Sequence, residues 1–263
     1  MISDHLPNTR GLIIDMDGVL WRDTEPIGDL RAIFDKIRES GYKLILATNN
    51  STRTVTQYQE KLRGFGVEVE DWQIINSALA VGLFLQKEYP DGALVYVVGQ
   101  PSLKSTLEKF NMRIVDESGT GVDVVVASLD FNLTYDKLRH ASLLIQSGSF
   151  FVGTNPDVTL PTPEGFFPGS GTVISALEIA SGVKAKILGK PEPGLYQMAL
   201  ERMEMTPGET LAIGDRLETD IAGAHNAGIH SALVLSGAST LAQARDYDPH
   251  PDIVAKDLTE LVF

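Results

Sequence analysis

Three short apolar runs, 11–15 (GLIID), 43–48 (KLILAT) and 210–215 (TLAIGD), each close on an acidic or hydroxyl side chain. Runs of this length, followed by turns or helix-period segments, read as strands buried on both faces. Between them lie segments such as 28–39, where Leu30, Ile33, Phe34 and Ile37 share one helical face and Gly41 supplies a stop. The alternation predicts α/β construction around a parallel sheet. In open parallel sheets ligands bind beyond the carboxyl ends of the strands. The polar residues that close these runs are therefore the first candidates for chemistry.

The pattern changes and then returns. A helix over 54–63, a short strand at 74–76 and a helix over 77–87 continue the first pattern. Strands at 94–99, 123–128 and 150–154, with helices over 101–110 and 135–147, then make a complete smaller α/β unit. Residues 153–171 are rich in Gly, Pro and Thr and read as a long ordered loop. After a helix at 172–181 the first pattern resumes, with strands at 185–190, 210–215 and 230–235 and a helix at 219–227. A chain of 263 residues is about the size at which one core gives way to two. The expected organisation is a split core, 1–78 and 183–263, with an insert at 79–182.

Composition removes several functions. With 22 basic and 35 acidic side chains the net charge is −13, which argues against nucleic acid or an anionic membrane as partner. The absence of cysteine removes thiolate nucleophiles and Cys-ligated metal. No apolar run approaches the roughly 18 residues of a membrane span, and the first residues lack a signal-peptide pattern, so a cytoplasmic protein is expected. The five histidines include no i, i+4 pair of the zinc-binding kind.

Four strand-end motifs carry the chemistry. Asp15-Met16-Asp17-Gly18 gathers two carboxylates that a hard cation would reconcile, although a strand-to-turn acid beside a turn glycine is the plainer alternative. Thr48-Asn49-Asn50-Ser51 offers a hydroxyl and amides for phosphate oxygens, or a cap for the next helix. Lys190 follows the apolar run 185–188 and would either clamp an anion or flank the strand in solvent. Asp215 closes a further strand, and Asp220 would stand at the start of the next helix, where capping is its simpler role.

Taken in order, DMDGVL, ATNNS, GKPEP and GDRLETDI resemble the haloacid dehalogenase superfamily of phosphohydrolases. They look like the branch holding the NagD-type nucleotide phosphatases, 4-nitrophenylphosphatases and phosphoglycolate phosphatases. The resemblance covers most of the core, and the insert stands where that branch carries its large α/β cap. It implies a Rossmann-like parallel-sheet core and a phosphatase acting on a small phosphorylated metabolite. It also implies that Asp15 is the nucleophile, forming an aspartyl-phosphate, and Asp17 the general acid and base. Thr48, Asn49, Asn50 and Lys190 would bind phosphate. Asp15, the backbone carbonyl of Asp17, and Asp215 would ligate Mg²⁺, with Asp220 supporting the metal from close by. Residues 19–27, including Trp21, would form a small flap, with a packed turn as the plainer alternative, and a homodimer through the cap is compatible with the branch. Arg216 stands where the family often has Asn. Dehalogenation, phosphotransfer within the same fold, a receiver domain and a silent phosphate-binding protein are the competing readings.

Overall fold

The computed structural model describes residues 1–116, 121–162 and 164–263. Two compact units emerge. One comprises Met1–Thr48, Val55–Ile75 and Lys190–Phe263, and the other Asn49–Thr54 and Asn76–Gly189. Residues 49–54, 76–78 and 183–189 thus group with the inserted unit.

The first unit is built on a six-stranded sheet in the order Ile253–Ala255, His230–Val234, Thr210–Gly214, Gly11–Ile14, Lys43–Thr48, Ile74–Asn76. The first five strands pair in parallel. Gly11–Ile14 is central and buried along its whole length, which is why it reads as a continuous apolar run. Alternate residues face opposite ways. Leu12, Ile14, Leu44, Leu46, Leu211 and Ile213 join one core with Leu30, Ile33, Phe34 and Ile37 of the helix Leu30–Glu39. That helix begins two residues later than its periodicity suggests, because Asp29 caps it by accepting from the Ala32 N–H at 3.1 Å. Register aligns the strand ends: Ile14 lies opposite both Ile213 and Leu46. Asp15, Ala47 and Gly214 therefore come to one edge, and Asp15 N–H extends the ladder to the Ile213 carbonyl at 2.8 Å.

The second unit has its own parallel sheet, ordered Lys186–Ile187, Phe150–Gly153, Val124–Ala127, Leu94–Val98, Arg113–Val115. Val95, Val97, Val124, Val126 and Val152 pack on one face. Tyr96, Val98, Val125, Ala127 and Phe151 pack on the other.

Three expectations are corrected here. Part of the 153–171 segment is an antiparallel hairpin, Thr159–Thr162 with Gly165–Pro168, and not a loop throughout. Gly and Pro hid two strands too short to show a period; residue 163 lies outside the described residues. The strand expected over 185–190 is Lys186–Ile187 alone, after which Leu188 and Gly189 N–H groups still bond the carbonyls of Gly153 and Thr154. The helix expected over 219–227 is a wide turn, Leu217–Ile221, followed by Ala222–Asn226. Among the described residues no helix is long and apolar enough to cross a membrane.

Candidate active site

Three carboxylates and one ammonium meet at the carboxyl edge of the first unit's sheet. Lys190 Nζ donates to Asp15 Oδ1 at 2.6 Å, to Asp220 Oδ1 at 2.5 Å and to the Ala47 carbonyl at 3.0 Å. An ammonium has three donors, and these three acceptors match it. Only 2% of Lys190 is exposed, so the charge is held away from water and must be paired. Lys190 is thus not a solvated strand flank.

Asp220 reaches the cluster through the wide turn. Both Asp220 N–H and Ile221 N–H bond the Arg216 carbonyl, at 2.9 and 3.2 Å, and the second is a π-type bond. The turn directs the Asp220 side chain back: Oδ2 accepts from Arg216 N–H at 3.1 Å while Oδ1 takes Lys190. Asp220 caps neither this turn nor the helix Ala222–Asn226, so its carboxylate serves the charge contact and closes the turn in place of the expected cap. Gly214 makes room for it, since a Cβ there would lie 2.2 Å from Asp220 Cγ.

Asp215 is seated by backbone. Its Oδ2 accepts from Ala238 N–H at 2.7 Å, and its carbonyl accepts from Ser239 N–H at 3.0 Å. A Cβ on Gly237 would stand 1.9 Å from Asp215 Oδ2, and one on Gly18 2.3 Å away. Gly18 also adopts φ 85°, so it serves the turn and the close approach together. The 236–239 loop is a part of the site that sequence reading missed. The signal was there: Ser-Gly-Ala-Ser follows the apolar run 230–235 at the same sheet edge.

Asp15, Asp215 and Asp220 offer oxygens that all lie within 4.8 Å of one another. Burial and the neighbouring Asp220 push Asp215 up to about 7, against the pull of the Ala238 N–H. Burial likewise raises Asp15 well above the usual carboxylate range; Lys190 opposes this, and Asp220 and Asp215 add to it. Burial would lower Lys190, but Asp15 and Asp220 outweigh it and hold the ammonium well above its ordinary value. Three buried carboxylates against one ammonium leave a surplus of negative charge. A hard dication with oxygen ligands fits that donor set.

The remaining predicted residues are placed as follows. Thr48 ends its strand, buried, one residue beyond the Ala47 carbonyl that holds Lys190. Asp17 is exposed; its carboxylate stands outside the trio, and its Oδ1 accepts from Trp21 Nε1 at 2.7 Å. Trp21 is fully buried, in a short hairpin of Trp21–Arg22 with Glu25–Pro26. Asn49 and Asn50 belong to the second unit. There the Asn49 carbonyl accepts from Ser77 Oγ at 2.5 Å and Asn155 Nδ2 at 2.8 Å, and Asn49 Nδ2 donates to Asp157 Oδ2 at 3.2 Å. Asn50 Oδ1 accepts from Thr52 N–H and Oγ1, closing a local turn. Asn155, which holds the Asn49 carbonyl, lies in the Gly- and Pro-rich segment already marked as unusual. Arg216 is partly exposed and gives its backbone N–H to Asp220.

The pattern of strand-end acids has matching relatives. Residues 12–113 match the family of haloacid dehalogenase-like hydrolases, and residues 187–261 match a related family of the same hydrolase type. An acid sugar phosphatase of Staphylococcus aureus is 34% identical over 253 residues, which is 96% of each chain. The chain belongs to the haloacid dehalogenase-like hydrolases. This hydrolase is a phosphatase by kind. Its fold is that of a 4-nitrophenylphosphatase from Thermotoga maritima, with a TM-score of 0.91 at 31% identity over 98% of this chain and 97% of that one. A glycerol phosphate phosphatase from Mycobacterium tuberculosis, solved in complex with magnesium, gives a TM-score of 0.90 at 30% identity over 97% of this chain and 76% of that one.

Proposed function

We propose that this hydrolase is a Mg²⁺-dependent phosphomonoesterase that cleaves small phosphorylated metabolites, sugar phosphates foremost, through an aspartyl-phosphate. The observation that carries the reading is the buried Lys190, bonded to Asp15 and Asp220, with an Asp215 oxygen within 4.8 Å of theirs. The names of the acid sugar phosphatase and the glycerol phosphate phosphatase support the substrate class. Asp15, Asp215 and the backbone carbonyl of Asp17 would hold Mg²⁺, with Asp220 close by. When bound, the cation supplies positive charge beside phosphate oxygens, which the acidic cluster alone would repel.

The chain's own residues do the rest. A carboxylate oxygen of Asp15 attacks phosphorus, and the bond to the leaving oxygen breaks as Asp17 gives that oxygen a proton. Asp17 then takes a proton from water, which attacks phosphorus and frees inorganic phosphate and the Asp15 carboxylate. Lys190 orients Asp15 and offsets charge on the transferring group, while Thr48, with Asn49 and Asn50 after it, supplies hydrogen-bond donors without adding charge.

Phosphate release from 4-nitrophenyl phosphate and from a panel of sugar and glycerol phosphates tests this. Activity should fall by about two orders of magnitude or more in chelator and return with Mg²⁺. Equal rates with and without chelator would remove the metal from the proposal, and no phosphate release from any phosphomonoester would remove the activity.

Stability should follow the same charge. Asp215 binds its proton more tightly folded, at about 7, than unfolded, at about 3.9. Its protonation therefore favours the folded state at low pH, and that stabilisation is lost as pH rises through about 7. Mg²⁺ replaces the lost proton, so its effect on Tm should be larger near pH 8 than near pH 5.5, to take two round values on either side. A Mg²⁺-induced shift that is equal at both would contradict the assignment of Asp215.

A further inference from the structure

We propose that Trp21 is a positioning residue for Asp17: its indole N–H holds Oδ1 and so fixes the orientation in which the carboxyl group exchanges a proton with the leaving group and with water. The inference rests on the reading of Asp17 as acid and base.

The sequence offers no reason for a tryptophan at this place beyond packing, and packing would not orient its nitrogen. Trp21 is 0% exposed, so an unbonded indole N–H would carry a full desolvation cost. Its Nε1 meets Asp17 Oδ1 at 2.7 Å, at the short end for N–H···O and typical of a charge-assisted bond. The ring itself cannot turn. It stacks on Tyr58 with centroids 6.5 Å apart and planes 16° apart, and it leans on Phe65 at 6.0 Å. Lys61 Nζ sits 3.9 Å from the ring centroid and is tethered by donating to the Asp23 carbonyl at 2.7 Å. A cation on the face draws density from the indole and strengthens its N–H as a donor.

The backbone completes the clamp. Gly18 N–H donates to the Trp21 carbonyl at 2.8 Å, and Asp17 and Trp21 form a bridge across the turn. Asp17, by contrast, is an exposed side chain, which would ordinarily sample several rotamers. A rigid donor on Oδ1 selects among them. In the first step the carboxyl proton of Asp17 passes to the leaving oxygen as its bond to phosphorus breaks; in the second the carboxylate takes one from water.

The test separates positioning from packing by the leaving group. A simple alkyl phosphate needs a proton on departure, whereas 4-nitrophenolate leaves as a stabilised anion. Trp21→Phe keeps an aromatic ring and removes the N–H. A second variant replaces Trp21 by β-(benzothiophen-3-yl)alanine, in a Trp72→Phe background, and keeps the shape of the indole. For both, kcat/KM is expected to fall about tenfold or more for the alkyl phosphate and by less than about threefold for 4-nitrophenyl phosphate. If Trp21→Phe misfolds, the isosteric replacement decides. Equal losses on both substrates, or none, would overturn the proposal. Asp17→Asn is the control for the underlying reading. If it shows the leaving-group gap and the Trp21 variants do not, positioning fails alone; if it shows no gap, the acid and base assignment fails with it.

Discussion

Asparagine in place of Asp15 is expected to lower kcat/KM by at least about four orders of magnitude while leaving the fold intact. The two effects have separate causes. A carboxamide oxygen is a poor nucleophile toward phosphorus, so the covalent step is lost. Its shape is that of the carboxylate, and its oxygen still accepts from Lys190, which now donates to Asp15 Oδ1 at 2.6 Å. Burial already holds the Asp15 pKa well above the usual range, which means that the folded chain resists its ionised form. A neutral isostere removes that resistance, and one of three clustered negative charges with it. The Tm in chelator should therefore hold or rise as turnover disappears, a sign opposite to that of an ordinary core lesion. Steady-state assays and thermal melts on the same preparation check both halves. Turnover above about a hundredth of the parent's would end the nucleophile assignment.

Much of this site was legible because parallel strands buried on both faces leave a plain trace. Asp15, Thr48 and Asp215 each close or follow an apolar run of one sheet, so a common sheet edge follows from topology. The run before Lys190 ends in the second unit's sheet, at Lys186–Ile187, so strand topology did not place Lys190 at that edge. What the pattern could not show is how side chains choose partners. Asp220 looked like a helix cap because capping acids and charge-cluster acids share one residue type. In the π-type turn at Leu217–Ile221 it caps no helix: its carboxylate takes the Arg216 N–H behind it and Lys190. Gly237 was invisible as a site residue, since its contribution is the absence of a Cβ beside Asp215. Residues 19–27 read as a flap or a packed turn, and neither reading told that Trp21 is buried in the core with its nitrogen on Asp17. An apolar ring predicts burial but not the direction of its one polar atom. The hairpin within 153–171 was lost for another reason: four-residue strands punctuated by Pro and Gly give no period to find.

Lys190→Met should be the most destabilising single change in the first unit, by about 3–5 kcal/mol in chelator. Methionine fills similar volume, so the cost comes from charge. Asp15 Oδ1, Asp220 Oδ1 and the Ala47 carbonyl lose their shared donor, and three buried carboxylates remain with no cation among them. They can answer only by binding protons. Lys190 is held ionised far above its ordinary value, so its contribution is present throughout the neutral range and the loss should be seen there in full. Two further measurements tie the loss to this cluster. Lowering the pH toward 5 should recover part of the denaturant midpoint, because protonated Asp15 and Asp215 no longer repel. Adding Asp220→Asn to Lys190→Met should also recover part of it, since the double variant removes one of the stranded charges; such non-additivity is expected for groups in direct contact. A Met variant as stable as the parent in chelator, or one whose loss neither acid nor Asp220→Asn relieves, would mean that Lys190 holds this edge by packing and not by charge.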